Sequence, residues 1–264
     1  MDKFFYSFLL IFLLISCNED TPLDWEKGSW IDLSHAYESS TPYWPTASGF
    51  QFDTVFAGIT EGGYYYSAYE FKSAEHGGTH IDAPIHFAEG KMTVDEIQID
   101  QLIGPAVVID VQDSVAGYID YQIGIQDFLN WEDKYGEVPE GSIVLLRTGI
   151  SKFWPNKEKY MGTALTGPAG VALLHFPGLH PDAAQWLIDN RKIKAIGLDT
   201  PSIDYGRSSG FLSHRILMEK NIPAFENLAN LSALPENNFH IVALPMKIKG
   251  GSGGPLRIAA FVPQ

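Results

Sequence analysis

Apolar positions along the chain gather into short β-branched runs divided by turns. Ala106–Val111 (AVVIDV), Ile143–Arg147 (IVLLR), Ile193–Leu198 (IKAIGL), Ile241–Leu244 and Leu256–Val262 (LRIAAFV) are the clearest. Runs of this length, rich in Val and Ile, suit strands buried on both faces. Three other stretches carry a helical pattern: Ile125–Tyr135, Pro181–Asn190 (PDAAQWLIDN) and Phe211–Lys220. Pro181 fits a first helical turn, where a missing N–H costs nothing. Strands outnumber helices and the two interleave, which predicts an α/β domain rich in strands. The aromatic, glycine-rich stretch Trp44–Tyr69 predicts strands, turns and part of a substrate wall.

A different pattern opens the chain. Phe4–Ile15 is apolar except for Ser7 and follows a single Lys3. It is too short for a bilayer core, which takes about 20 helical residues, and it is apolar all round rather than amphipathic. A secretory h-region fits. The sequence Leu14-Ile15-Ser16-Cys17 then resembles a bacterial lipoprotein signal, in which the cysteine carries the lipid. The expected layout is a signal peptide over 1–16, lipidation at Cys17, a polar tether over 17–27 and one domain over 28–264. No linker, repeat or low-complexity run interrupts that domain. The protein is thus expected to be an extracytoplasmic lipoprotein, anchored at the periplasmic or outer surface by its lipid alone.

Composition narrows the partners. The chain has 264 residues, with 18 Lys+Arg against 32 Asp+Glu and a formal net charge of −14. That balance argues against nucleic acid and against electrostatic docking on anionic lipid, since both need basic side chains. A hydrophobic fraction of 45% excludes a disordered chain. Cys17 is the only cysteine, so no intramolecular disulfide forms and no second thiolate is available to a metal.

The chemistry concentrates in Glu75–Phe87, EHGGTHIDAPIHF, which holds His76, His80, Asp82 and His86. A helix would put His76 and His80 on one face, but Gly77-Gly78, β-branched Thr79 and Ile81, and Pro84 disfavour it. In an extended strand all four residues point to one side, yet His76 and His86 would lie roughly 33 Å apart. One shared site therefore requires a bend, and Gly77-Gly78 and Pro84 can supply it. Imidazole and carboxylate ligands suit Zn, Mn, Fe or Ni. A lone histidine is usually a hydrogen-bonded structural residue; three with an aspartate at this spacing point to a divalent cation.

The pattern His-Gly-Gly-Thr-His-Ile-Asp-Ala-Pro-Ile-His resembles the H-x-G-T-H-x-D-x-P-x-H signature of the cyclase-like metal-dependent hydrolases, the family of kynurenine formamidase (arylformamidase) and isatin hydrolase. Further blocks agree in order: Asp32–His35, Pro42–Pro45, Phe176–Leu179, Gly197–Asp204, Glu226–Leu231 and Lys247–Pro255. The resemblance implies a single-domain swivelling β/β/α fold and a homodimer or homotetramer. It also implies metal ligands His76, His80, Asp82, His214 and Glu226, with Asp82 and Glu226 able to bridge, and His86 as catalytic acid/base. Isatin hydrolase-like members carry glutamine at the late position and hold one manganese. Glu226 therefore leans towards two ions, Zn2+ first and Mn2+ as the alternative.

By the same resemblance Trp44 belongs to an aromatic wall that stacks on substrate, with Tyr64, Tyr65 and Tyr66 as lesser candidates. His35 is given no role, and His175, His180 and His240 are read as structural. The glycine run Gly250–Gly254 lacks the ending of a phosphate-binding loop and predicts a tight turn near the active site or a subunit contact. The implied function is hydrolysis of a small aromatic or cyclic amide, such as an N-formyl aryl amine or an imide, by metal-activated water with His86 as acid/base. Hydrolysis of isatin-like rings, lactones or esters is the variant within the family. A metal- or ligand-binding surface lipoprotein without turnover is the alternative outside it.

Overall fold

In the computed structural model, residues 23–264 are described. Cys17, the signal segment and the first part of the tether lie outside the described residues. Among the described residues the strands are β1 (Gly28–Asp32), β2 (Gln51–Ile59), β3 (Tyr65–Lys72), β4 (His80–Asp82), β5 (Ile103–Asp110), β6 (Gln122–Ile123), β7 (Ile143–Arg147), β8 (Gly178–Leu179), β9 (Ala195–Leu198), β10 (Ala224–Glu226), β11 (Phe239–Pro245) and β12 (Gly253–Pro263). The helices are α1 (Ile99–Leu102), α2 (Gln112–Gly117), α3 (Ile125–Tyr135), α4 (Lys157–Met161), α5 (Gly167–Val171), α6 (Pro181–Asn190) and α7 (Leu212–Glu219).

The main sheet runs β1-β12-β11-β5-β7-β9-β10-β4, and β12 also pairs with β4. Residues Gly253–Pro255 of β12 meet β4, while Ala259–Pro263 meet β1. Every strand of this sheet except β1 therefore lies in a closed ring, a barrel-like sheet within one mixed α/β domain. Strands β5, β7, β9 and β10 are parallel neighbours. Parallel pairing needs crossovers, and α3, α6 and α7 supply them on the outer face. This explains the near-continuous apolar runs, because both faces of these strands are covered. Ala106, Val108, Ile143, Leu145, Ile241 and Ile258 fill the barrel. Val107, Ile109, Val144 and Leu146 point outward to Phe128, Leu187 and Leu217 of the helices.

The same alternation places the chemistry. Ile81 and Phe225 enter the barrel, so their neighbours His80, Asp82 and Glu226 face outward, beneath the helix layer. The register of β4 on β10 sets His80 opposite Glu226.

The helical expectations hold closely, α3 and α6 having the expected limits. Phe211 is excluded from α7 and adopts a left-handed conformation, φ 47°. Trp25 packs on Trp30 and Phe261, at centroid distances of 5.4 and 5.0 Å, so ordered packing reaches back before Gly28. The aromatic stretch forms a hairpin of β2 and β3 with an irregularity between Thr54 and Phe56. Nearly all its side chains are exposed.

Candidate metal centre

Two bends bring the early cluster together. Gly78, at φ +62°, turns the chain between His76 and β4, and a 3-10 turn over Pro84–His86 folds His86 back past it. Asn227, the residue after β10, fixes the first bend: its Nδ2 donates to the Gly78 carbonyl at 2.8 Å, and its own carbonyl accepts from Thr79 Oγ1 at 2.7 Å. Tyr160 of α4 in turn donates to Asn227 Oδ1 at 2.8 Å. Helix α7 carries His214 over the β4–β10 pair, with Nε2 lying 3.1 Å from both Asp82 Oδ2 and Glu226 Oε1. The late residues thus meet the early ones.

Each of three imidazoles has one ring nitrogen tied to an oxygen and the other aimed at the carboxylates. His80 Nδ1 lies 3.0 Å from the Gly78 carbonyl, a contact that requires the proton on Nδ1. Its Nε2 is buried without a hydrogen-bond partner, 3.1 Å from Asp82 Oδ1. His214 Nδ1 donates to Asp204 Oδ2 at 2.6 Å. His76 Nε2 meets Ser252 Oγ at 2.9 Å while Nδ1 sits 2.6 Å from Asp82 Oδ1. An orphaned buried nitrogen and converging lone pairs beside two carboxylates are a donor set for a divalent cation. Two groups of three ligand atoms satisfy close spacing: His76, His80 and Asp82, and Asp82, His214 and Glu226. Asp82 is common to both.

The electrostatics point the same way. Burial pushes the Asp82 carboxyl up, but His76, His214 and His80 more than reverse this and hold it well below the usual range. Burial and the charge of Asp82 raise Glu226, only partly offset by His214 and His80. Burial would lower His214, yet Asp204, Asp82 and Glu226 lift it well above an ordinary imidazole. The carboxylates therefore draw positive charge inward, and a metal ion would compete with those protons.

His86 belongs to neither group. Its ring stacks on His76 at 3.8 Å, and Nε2 lies 3.9 Å from Asp82 Oδ2. Burial pushes its imidazolium down to about 4 against the pull of Asp82, so the ring is neutral and able to accept a proton at neutral pH.

Above these residues opens a cavity of about 300 Å³. Trp44, Phe87, Met161 and Phe211 form its apolar walls. Trp44 lies 6.2 Å from Phe211 between ring centroids. Tyr64, Tyr65 and Tyr66 do not line this cavity; they sit at the hairpin tip, each more than half exposed. The strand period carries them out into solvent at the end of the β2–β3 arm. Phe87, Phe211 and Met161, like the anchors Asp204 and Ser252, are given no site role by the sequence alone. Phe87 directly follows His86, which is the one local cue that could have found it. His175 pairs with Asp120, and His180 Nδ1 accepts from Asp182 N at the start of α6. His35 stacks on Trp154 at 4.0 Å.

Comparison with known proteins agrees with this architecture. The family model described as "Putative cyclase" matches residues 31–205. The isatin hydrolase of Roseibium aggregatum is 33% identical over 72% of this chain and 73% of that protein. The kynurenine formamidase of Salinibacter ruber is 28% identical over 86% of this chain and 94% of its own length. Among solved structures, isatin hydrolase A from Ralstonia solanacearum superposes with a TM-score of 0.80 at 30% identity, over 89% of this chain and 92% of that one.

Proposed function

The chain belongs to the cyclase family of metal-dependent hydrolases, and from that premise we propose that it hydrolyses the C–N bond of a small aromatic or cyclic amide. The observation that carries this reading is the convergence of three imidazoles on Asp82 and Glu226 at the floor of an apolar, aromatic-walled cavity. His76, His80 and Asp82 would hold one ion, and Asp82, His214 and Glu226 a second; Zn2+ is the first choice and Mn2+ the alternative. Such ions acidify water and polarise a carbonyl oxygen.

The chain's own residues do the rest. Trp44, Phe87 and Phe211 stack on the substrate's ring and keep bulk water from the reacting carbonyl. Neutral His86 takes the proton of the attacking water and returns it to the leaving nitrogen as the C–N bond breaks. The products are a carboxylic acid and an amine, joined in one molecule when the substrate is cyclic. A ring-opening substrate resembling isatin is favoured over an N-formyl aryl amine by the higher identity to the isatin hydrolase, 33% against 28%. The test is metal analysis of the purified protein, then assays on isatin, cyclic imides and N-formyl anilines. Expected is turnover of at least one, abolished by a chelator and restored by Zn2+ or Mn2+. A metallated protein inert to all three classes would leave a binding lipoprotein instead.

The same reading includes a homodimer built through the β2–β3 arm. The face bearing Phe52, Thr54, Ala57, Ile59, Tyr65, Ser67, Tyr69 and Phe71 has no charged residue. A two-stranded hairpin is marginal alone, and an exposed apolar face of this kind marks an interface. A second copy of this chain docked there would bring no like-charged side chains into contact at the seam. Tyr69→Asp with Phe71→Asp should convert a dimer into a monomer by sedimentation velocity; a monomeric wild type refutes the arrangement.

A further inference from the structure

The glycine run Gly250–Gly254 has no part in the chemistry so far, yet it reaches the metal centre. Its only side chain is Ser252. Ser252 Oγ donates to Glu75 Oε2 at 2.6 Å, and its backbone N–H donates to the same oxygen at 3.1 Å. A serine has one hydroxyl proton, and Glu75 receives it. The Oγ lone pair left over can only accept, so His76 presents Nε2–H to it at 2.9 Å. That tautomer leaves Nδ1 as the lone pair facing Asp82.

His76 needs such a hold more than its neighbours. Its side chain is 24% exposed, against 3% for His80 and 3% for His214, which burial already restrains. Two of the glycines make room for this contact. A Cβ on Gly253 would stand 2.6 Å from His76 Cε1 and 2.4 Å from the Ile81 carbonyl, and one on Gly251 would stand 2.9 Å from Glu75 Oε1. Backbone bonds from Val94 N to Gly251 O and from Ala83 N to Ser252 O then fix the loop at 2.9 and 2.8 Å.

We propose that Ser252, itself oriented by Glu75, is the positioning residue of His76 and sets the affinity of the His76–His80–Asp82 group for a divalent cation. The proposal rests on reading that group as a metal site. Outer hydrogen bonds to a ligating imidazole are typically worth 10–100-fold in metal affinity. The test is titration of the full-length apoprotein with Zn2+ against a competing chromophoric chelator, together with the melting temperature of each apoprotein. Ser252→Ala should bind Zn2+ about 10–100-fold more weakly with an unchanged apo melt. Glu75→Gln should weaken it less, and Ser252→Thr, which keeps the hydroxyl, should stay close to wild type. Equal affinity in Ser252→Ala and wild type overturns the proposal while leaving the metal site standing. An apo melt lowered in Ser252→Ala and Ser252→Thr alike overturns it too, by making Ser252 a packing residue. A wild type that binds no Zn2+ removes the metal reading itself.

Discussion

His86→Ala is expected to keep its full complement of metal and to lose about 10²–10⁴-fold in turnover, the usual worth of a positioned acid/base. Two observations separate His86 from the imidazoles around it. It supplies no atom to either ligand group, and its Nε2 stands 3.9 Å from Asp82 Oδ2, where His80 and His214 come within 3.1 Å of the carboxylates. Its protonation is shifted in the opposite direction to that of His80 and His214. Burial and the neighbouring imidazoles outweigh the pull of Asp82 and push its imidazolium down to about 4, whereas Asp82 and Glu226 raise His80 against the effect of burial. A histidine that stays unprotonated beside a site drawing positive charge can take a proton from water whenever substrate is bound. Metal analysis and steady-state rates on the same preparation check the expectation. An apo His86→Ala protein reassigns the residue to ligand, and a rate near wild type reassigns it to bystander.

Local pattern made part of this site legible, and distance along the chain hid the rest. Within Glu75–Phe87 the residue types, the even spacing and the bend-forming Gly77-Gly78 and Pro84 are all adjacent in sequence, so the early cluster and its turn could be read directly. The strands around it were equally readable, because a parallel sheet covered on both faces writes itself as apolar runs such as Ile143–Arg147. The barrel's closure was not. It depends on Gly253–Pro255 pairing with β4, across most of the chain and through residues with almost no side chains. His214 on α7 carries no local mark either, since an inward histidine on a short amphipathic helix looks like any core residue. It took a resemblance to known hydrolases to single it out. The imidazole anchors are the least visible of all: Asp204, Ser252 and the Gly78 carbonyl act through single hydrogen bonds that only the folded geometry creates. Aromatic residues misled in one place. Tyr64–Tyr66 match the composition of a substrate wall as well as Trp44 does, but a hairpin's reach takes them away from the cavity that Trp44 helps to enclose.

Asp82→Ala should lose the metal and much of the stability together, because both ligand groups share this one carboxylate. Its side chain is buried and lies within hydrogen-bonding reach of His76, His80 and His214. Without it the imidazole nitrogens face one another with Glu226 alone to balance them, a carboxyl that its own burial already pushes upward. Removing one partner from a buried charge cluster costs about 3–5 kcal/mol. A bound ion adds about 2.7 kcal/mol more to the native state at a hundredfold excess over its dissociation constant. Chelator treatment of the wild type removes only the second contribution, so three melts separate the two: wild type with metal, wild type without, and the variant. The acid dependence follows from the carboxyl of Asp82, held well below the ordinary aspartate value of 3.8 by the imidazoles around it. A carboxylate stronger in the folded state stabilises above its unfolded pKa and loses that contribution as pH falls towards its folded one. The gap between the two apoproteins should hence be full at neutral pH and close below about pH 4. A variant that still carries stoichiometric metal, or a gap indifferent to acid, would deny Asp82 its place between the two groups and leave the cluster as an ordinary buried hydrogen-bond network.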